Sequence, residues 1–313
     1  MKPSKFFKSL TFLLTFVFFI IHVEGKISSG PSGRHSLFIK QDGSLWGMGW
    51  NNTYQLGDGT STQRNLPIKI ESSGVVEVSA GYEHSLFLKS DGSLWGMGNT
   101  QFGALGPPTT ILPPSTYEPE SIPKEIESSG VTSIAAGNYH SVYLKNDGSL
   151  WVTGRNNYGQ LGDGTKIDRY DPIKIVTGGV VSISAGGYQT FYIDNNGSLW
   201  GTGRNDYGQL GDGTTIDRNV SVQIISTGVS SVSGGLSHTS FIKSDGSLWV
   251  TGRNNYGQLG DGTKIDRSTP IKIENDGVVS VQAGGATTFF IDENESLWAT
   301  GVNNDGQLGD GTN

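Results

Sequence analysis

Residues Asn138–Thr165 read NYHSVYLKNDGSLWVTGRNNYGQLGDGT, and the fold follows from this stretch. It holds a nearly apolar run, Ser141 to Leu144, a turn at Asn146-Asp147-Gly148, and a second run, Ser149-Leu150-Trp151-Val152. Asp-Gly between two such runs signals a hairpin, because Gly accepts the positive φ of a tight turn. A polar, Gly-rich loop follows, Asn156 to Thr165. The same text recurs along the chain. Tryptophans 46, 95, 151, 200, 249 and 298 are spaced 49, 56, 49, 49 and 49 residues apart. Trp151 to Arg169 and Trp249 to Arg267 are identical over 19 residues.

Each unit reads as four strands: one of the His84–Lys89 type (HSLFLK), one of the Ser93–Met97 type, one of the Pro172–Ile175 type (PIKI) and one of the Val180–Ala185 type (VVSISA). The first strand lacks polar alternation, which fits a strand covered on both faces. A repeat of this size cannot bury its faces alone, so copies must stack. A solenoid competes with a ring, but four strands per unit and a period near 50 favour blades around an axis. The fold class expected is all-β, a β-propeller of four-stranded blades with six repeats visible, and six to seven blades in a complete ring. The in-register tryptophans are expected as inter-blade core, each burying about 150–250 Å². The first two strand types occur six times and the last two five times, which makes five and a half blades. Open edges invite aggregation, so the expectation is that repeats continue past Asn313 or that the ends splay.

Composition agrees with short strands and Gly-rich turns. Of 313 residues 47 are Gly and only 16% are charged, and each Gly costs a helix interior roughly 1 kcal/mol relative to Ala. The net charge of −7 disfavours nucleic acid, whose binding needs Lys and Arg to release condensed counterions. There is no Cys, so disulfides and thiolate chemistry are excluded. Residues 1–25 read as a signal peptide: Lys2, Lys5 and Lys8 precede an apolar run from Leu10 to Val23, shorter than the roughly 20 residues that span a bilayer. An uncleaved anchor is the alternative. The propeller is assigned to residues 26–313, outside the cytoplasm: secreted or at the cell surface, extracellular or periplasmic.

The text from the Ala-Gly before His84 through Asp-Gly-Ser-Leu-Trp to Asn-x-x-Gly-Gln-Leu-Gly resembles the regulator of chromosome condensation repeat, over about residues 33–313. The resemblance implies a propeller, usually of seven blades. It spans a nuclear nucleotide-exchange factor and, among secreted bacterial members, a protein inhibitor of β-lactamases. The signal segment and acidic balance make the secreted, bacterial-type members the closer analogy, although fold alone does not fix function.

Apparent chemistry dissolves into the repeat. His35, His84, His140 and His238 share one register, held by Gln189 and Thr287 in the other copies. A zinc ring needs ligands at about 2.0–2.1 Å, so strand-start hydrogen bonding is expected instead. Asp163-Gly164 and Asp212-Gly213 lack the Asp ladder and terminal Glu of an EF-hand. Ser-Asp-Gly-Ser-Leu-Trp resembles the sialidase Asp box with the wrong spacing. No singular nucleophile–base–orienter set stands apart. Neither a catalytic residue, a metal nor a cofactor is expected.

The differences between copies point elsewhere. The two residues before the His register vary: Gly33-Arg34, Tyr82-Glu83, Asn138-Tyr139, Gly187-Tyr188, Leu236-Ser237 and Gly285-Ala286. A second varying position holds Trp50, Asn99, Arg155, Arg204, Arg253 and Val302. Tyr, Trp and Arg are typical interface anchors. The expected site is therefore Arg34, Tyr82, Glu83, Tyr139, Tyr188 and Trp50 on one end face, against drift on tolerant loops. The Pro-rich stretch Gly106 to Pro123 is read as a stiff, extended arm or a passive cover. The function expected is a monomeric, non-enzymatic binding scaffold for a protein or glycan, without nucleic acid or membrane beyond the signal segment. A glycan hydrolase and a purely structural surface protein are the alternatives.

Overall fold

The computed structural model describes residues 26–107, 111–112 and 116–312, together with a strand at Ser4–Phe6. Among the described residues there is no helix. Six four-stranded antiparallel sheets stand as blades around a central channel of about 670 Å³. Blade 3 shows the plan, from axis to rim: Val131–Ala136, His140–Lys145, Leu150–Gly154 and Arg169–Val176.

This order corrects the expected grouping. The VVSISA-type strand is the innermost strand of the following blade, paired with the HSVYLK-type strand, as Ile134 opposite Tyr143 shows. The small Ser and Ala side chains of this strand type line the central channel, whereas the PIKI type forms the rim. Two strands beyond the expected 22 complete the six sheets. Ile27–Ser28 is the inner strand of blade 1, opposite Phe38 and Leu37. Ser4–Phe6 is the rim strand of blade 6, opposite Leu297–Ala299. That second strand lies within the stretch read as a signal peptide; the rest of that stretch is outside the described residues. The Pro-rich stretch also departs from an extended arm, since Ile111–Leu112 and Thr116–Tyr117 pair as a small antiparallel hairpin. Its remaining prolines at 108, 113 and 114 lie outside the described residues.

The core lies between blades. Leu37, Ile39, Leu45 and Leu56 of blade 1 pack against Val78, Phe87 and Met97 of blade 2. Val142, Leu144, Leu150 and Leu161 repeat the arrangement against Val180 and Tyr192. The tryptophans are half-buried at the margin of these clusters rather than fully inside them. Each of the last five stacks on the aromatic opposite it on the neighbouring strand, for example Tyr143–Trp151 at 6.2 Å and 9°. The indole N–H donates to a turn residue, as Trp151 does to Ser149 Oγ at 3.0 Å. In blades 1, 2, 3 and 5 a lysine covers the indole face, with Lys145 Nζ 4.7 Å from the Trp151 ring. An indole has a polar edge and a cation-accepting face, so the blade margin suits it better than a dry interior.

Candidate functional site

Strand direction sorts the loops into two ends. His140–Lys145 runs away from the loop at 137–139 to the Asn146–Gly148 turn, and Leu150–Gly154 returns. The varying lead-in loops and the residues after each third strand therefore share one end, as expected. Backbone hydrogen bonds stitch these loops blade to blade: Tyr82 N–H donates to Asn138 O, Asn138 N–H to Gly187 O, and Gly187 N–H to Gly235 O. Gly137 makes the approach possible, since a Cβ there would fall 2.8 Å from Gly186 O and against the His140 ring. The side chains on the loops are thus held in place by backbone.

Those side chains form a row of aromatic and guanidinium groups in two contact clusters that meet at one pocket. Arg34 lies over Trp50 at 5.3 Å and over Tyr82 at 4.1 Å. Tyr82 meets Tyr139 edge-on at 5.5 Å, and Tyr139 meets Phe102 at 5.4 Å. Arg155 sits 4.6 Å from Phe102 and 5.5 Å from Tyr139. Tyr188 packs on Tyr158 at 5.1 Å, and Arg204 stands among Tyr158, Tyr188 and Tyr207 at 5.3–6.0 Å. Arg253 closes the row, 4.6 Å from Tyr207. Ser32, Tyr82, Asn138, Tyr139, Tyr188, Arg204 and Arg253 ring a pocket of about 340 Å³, with Leu236 and Ser237 completing it.

The expected residues are brought together. Arg34, Trp50, Tyr82, Tyr139 and Tyr188 all belong to the row, while Glu83 is turned to a neighbour, its Oε2 accepting from Asn99 Nδ2 at 2.8 Å. Burial, with smaller contributions from Glu83, Tyr188 and Tyr82, raises the Tyr139 hydroxyl to about 12, so it is a neutral donor at any physiological pH. Arg204 pairs with Asp206 at 2.6 Å, yet its buried Nε has no acceptor among the described residues.

Phe102, Tyr158 and Tyr207 were missed by comparing copies. They occupy the third position of the NNYGQLGDGT loop, held otherwise by Thr53, Tyr256 and Asp305. A mostly aromatic position looks like scaffold; the signal was that this aromatic has no place in the buried pattern of a polar loop.

The remaining candidate chemistry is structural. His140 Nε2 faces Thr190 Oγ1 of the next blade at 3.1 Å, and that hydroxyl donates to Gln160 O at 2.7 Å. A hydroxyl whose proton is committed to a carbonyl must accept from the ring, so the imidazole carries its proton on Nε2. His35, His84 and His238 meet Ser85, Ser141 and Thr288 in the same way. Burial lowers His35, His140 and His238 to about 4 and, with smaller pushes from His140 and His35, His84 to about 3. In the Gly-rich loops the Asp oxygens are already used. Asp163 accepts from Asn156 at 2.9 Å, Thr165 at 2.8 Å and Arg169 at 2.5 Å.

The RCC1-like domain family model matches residues 26–313. The chain belongs to that family. Over 148 residues it is 32% identical to the ultraviolet-B receptor UVR8 of Arabidopsis thaliana, covering 45% of this chain and 32% of the relative. Over 142 residues it is 30% identical to the mouse regulator of chromosome condensation, covering 44% and 32%. The matched stretch is thus about a third of the length of these curated relatives. Among solved structures, human WBSCR16 is similar with a TM-score of 0.78 at 22% identity, covering 94% of this chain and 80% of that one. Prp20p of Saccharomyces cerevisiae, whose binding to Gsp1p and histones is known, gives 0.75 at 20% identity over 92% and 74%. At these identities the structures show a shared fold.

Proposed function

We propose that this chain is an exported binding scaffold of the RCC1-like family, acting as a binding module rather than an enzyme, and that it engages a partner protein through the aromatic and arginine end face. The observation that carries the reading is the row of two contact clusters, Trp50 to Arg155 and Tyr158 to Arg253, that meet around the 340 Å³ pocket. Aromatic and Arg side chains around a concavity are the composition of interface hot spots, and loops fixed by backbone hydrogen bonds lose little entropy on binding. Arg204 and Arg253 line the pocket and bring guanidinium donors toward a ligand oxygen. Relatives that bind proteins, such as Prp20p with Gsp1p and histones, support a protein partner. A glycan is the second reading, favoured by Tyr139 and Tyr188 beside the Asn138 amide around the same pocket. Export rests on the basic-then-apolar segment of residues 1–25; its cleavage would remove Ser4–Phe6 from the edge of blade 6.

Affinity capture from the native extracellular fraction, with wild-type protein and the Tyr82→Ala/Tyr139→Ala/Tyr188→Ala variant in parallel, tests the face. The partner retained by wild type is expected to be lost from the folded variant. Equal retention by both places binding elsewhere, and sensitivity of the captured partner to glycosidase digestion selects the glycan.

A further inference from the structure

The end opposite the aromatic face carries a pair of coupled sequence changes. In blades 2, 3 and 5 the strand before the tip turn ends in Lys89, Lys145 and Lys243, in blade 1 Lys40 directly follows the strand, and the turns carry Asp42, Asp91, Asp147 and Asp245. There the turn Asp works locally. Asp91 Oδ1 accepts from Ser93 N–H at 2.9 Å and Ser93 Oγ at 2.6 Å, and Ser93 Oγ accepts from Trp95 Nε1 at 2.9 Å. In blades 4 and 6 both residues change: the strand ends in Asp194 and Asp292, and the turn carries Asn196 and Asn294. The new Asp takes over the whole task. Asp194 Oδ1 accepts from Asn196 N–H at 2.9 Å and Ser198 N–H at 3.0 Å, and Oδ2 from Trp200 Nε1 at 3.0 Å. Asp292 does the same for Asn294, Ser296 and Trp298. The Asn196 and Asn294 amides are thereby released. Both residues are exposed at turn tips, and neither side chain makes a hydrogen bond among the described residues.

Both freed amides begin an Asn-x-Ser triplet, Asn196-Gly197-Ser198 and Asn294-Glu295-Ser296, the acceptor pattern for N-linked glycosylation. Two further triplets of this type are occupied by the fold. Asn51 is fully buried, its Nδ2 donating to Asp58 Oδ1 at 3.0 Å and to Thr60 O at 2.8 Å. Asn219 is half-buried on a rim strand, donating to Gly164 O at 2.7 Å.

We propose that Asn196 and Asn294 are N-glycosylation sites, used on passage through a secretory pathway, and that Asn51 and Asn219 are not. The inference rests on the export reading above. The co-reactant is a lipid-diphosphate-linked oligosaccharide. A bond forms between the amide Nδ2 and the sugar C1, the bond from C1 to the diphosphate oxygen breaks, and the amide proton leaves with the diphosphate; nothing is oxidised or reduced. Sugars at these tips stand at the end away from Tyr82, Tyr139 and Tyr188, so they shield one end of the propeller and leave the binding face bare.

The full chain is expressed in a secreting eukaryotic cell in two forms, with its own N-terminus and with a foreign secretory leader added in front. Protein from the medium is compared by gel mobility and peptide mass before and after peptide-N-glycosidase treatment. Two glycans are expected on the leader-fused protein. Asn196→Asp and Asn294→Asp, which install the residue of the other blades, are each expected to remove one, and the double variant both. Secreted, folded, leader-fused protein without sugar at these two positions, or with sugar at Asn51 or Asn219, overturns the sites. If only the leader-fused form is exported and carries both sugars, the sites stand and the export reading falls.

Discussion

At His140 a single imidazole joins three parts of the molecule: its own blade, Thr190 of the next, and through that hydroxyl the Gln160 carbonyl of the intervening loop. The arrangement needs a neutral ring, and burial holds all four histidines of this register near 3–4. In the unfolded chain they titrate near 6.5. Because the folded values lie lower, the unfolded state takes up protons first as pH falls. The stability these residues provide is complete above about pH 6.5 and is lost between there and pH 4. Each adds a slope of roughly 1 kcal/mol per pH unit in that window. His140→Gln, which installs the residue that blade 4 carries as Gln189, is expected to make the loss of stability between pH 6.5 and 4 shallower by about one such proton. Denaturant midpoints measured across this range check it, and an unchanged slope would refute the neutral-clasp account. The His register was legible in the sequence. The partner hydroxyls were not, because Ser85, Ser141, Thr190 and Thr288 lie about 50 residues away.

Among the elements, the NNYGQLGDGT loop holds itself together. Fully buried Asn156 donates through Nδ2 to Asp163, Thr165 and Ile167, and its Oδ1 accepts from Leu161 N–H at 2.9 Å. The Asp in turn is fixed by Arg. In the blade 5 copy partial burial pushes Asp261 upward, but hydrogen bonds from Arg267, Thr263 and Asn254 outweigh it and hold the carboxyl at about 2. Asn156→Ala strands a buried N–H and is expected to destabilise by about 1–3 kcal/mol. The last copy provides an internal control. Asn303 makes the same bonds to Asp310, Thr312 and Leu308, but they are exposed to solvent or only partly buried, so Asn303→Ala should cost clearly less. Equal losses in thermal melts would show that burial is not what gives these bonds their value. The loop and hairpins were readable from Gly, Asn and Asp placement. The Ile27–Ser28 inner strand was not, since two residues carry no periodicity and its pairing is decided by Leu37 and Phe38.

The whole molecule is a ring whose blades are not equally covered. Phe289, Ile291, Leu297 and Leu308 of blade 6 are half-buried, whereas Leu37, Ile39, Leu45 and Leu56 at the same positions of blade 1 are buried. Local opening is easiest where apolar burial is least. Amide hydrogen exchange is expected to be faster over residues 287–308 than over the equivalent 238–259, and equal protection would contradict this.

The sequence by itself determined the four strand types and their repetition, because hairpin turns, apolar runs and Asn/Asp/Gly-rich loops are written within 50 residues and repeated. It also marked Arg34, Trp50, Tyr82, Tyr139 and Tyr188 as the places where copies part company. Only the tertiary structure decided which blade owns the VVSISA strand, that Phe102, Tyr158 and Arg204 extend the aromatic and guanidinium row, and that Asp194 and Asp292 free the amides at the opposite end. The physical reason is the same in each case: these outcomes depend on contacts across blades or across a turn, and a residue's meaning there is set by its neighbour in space.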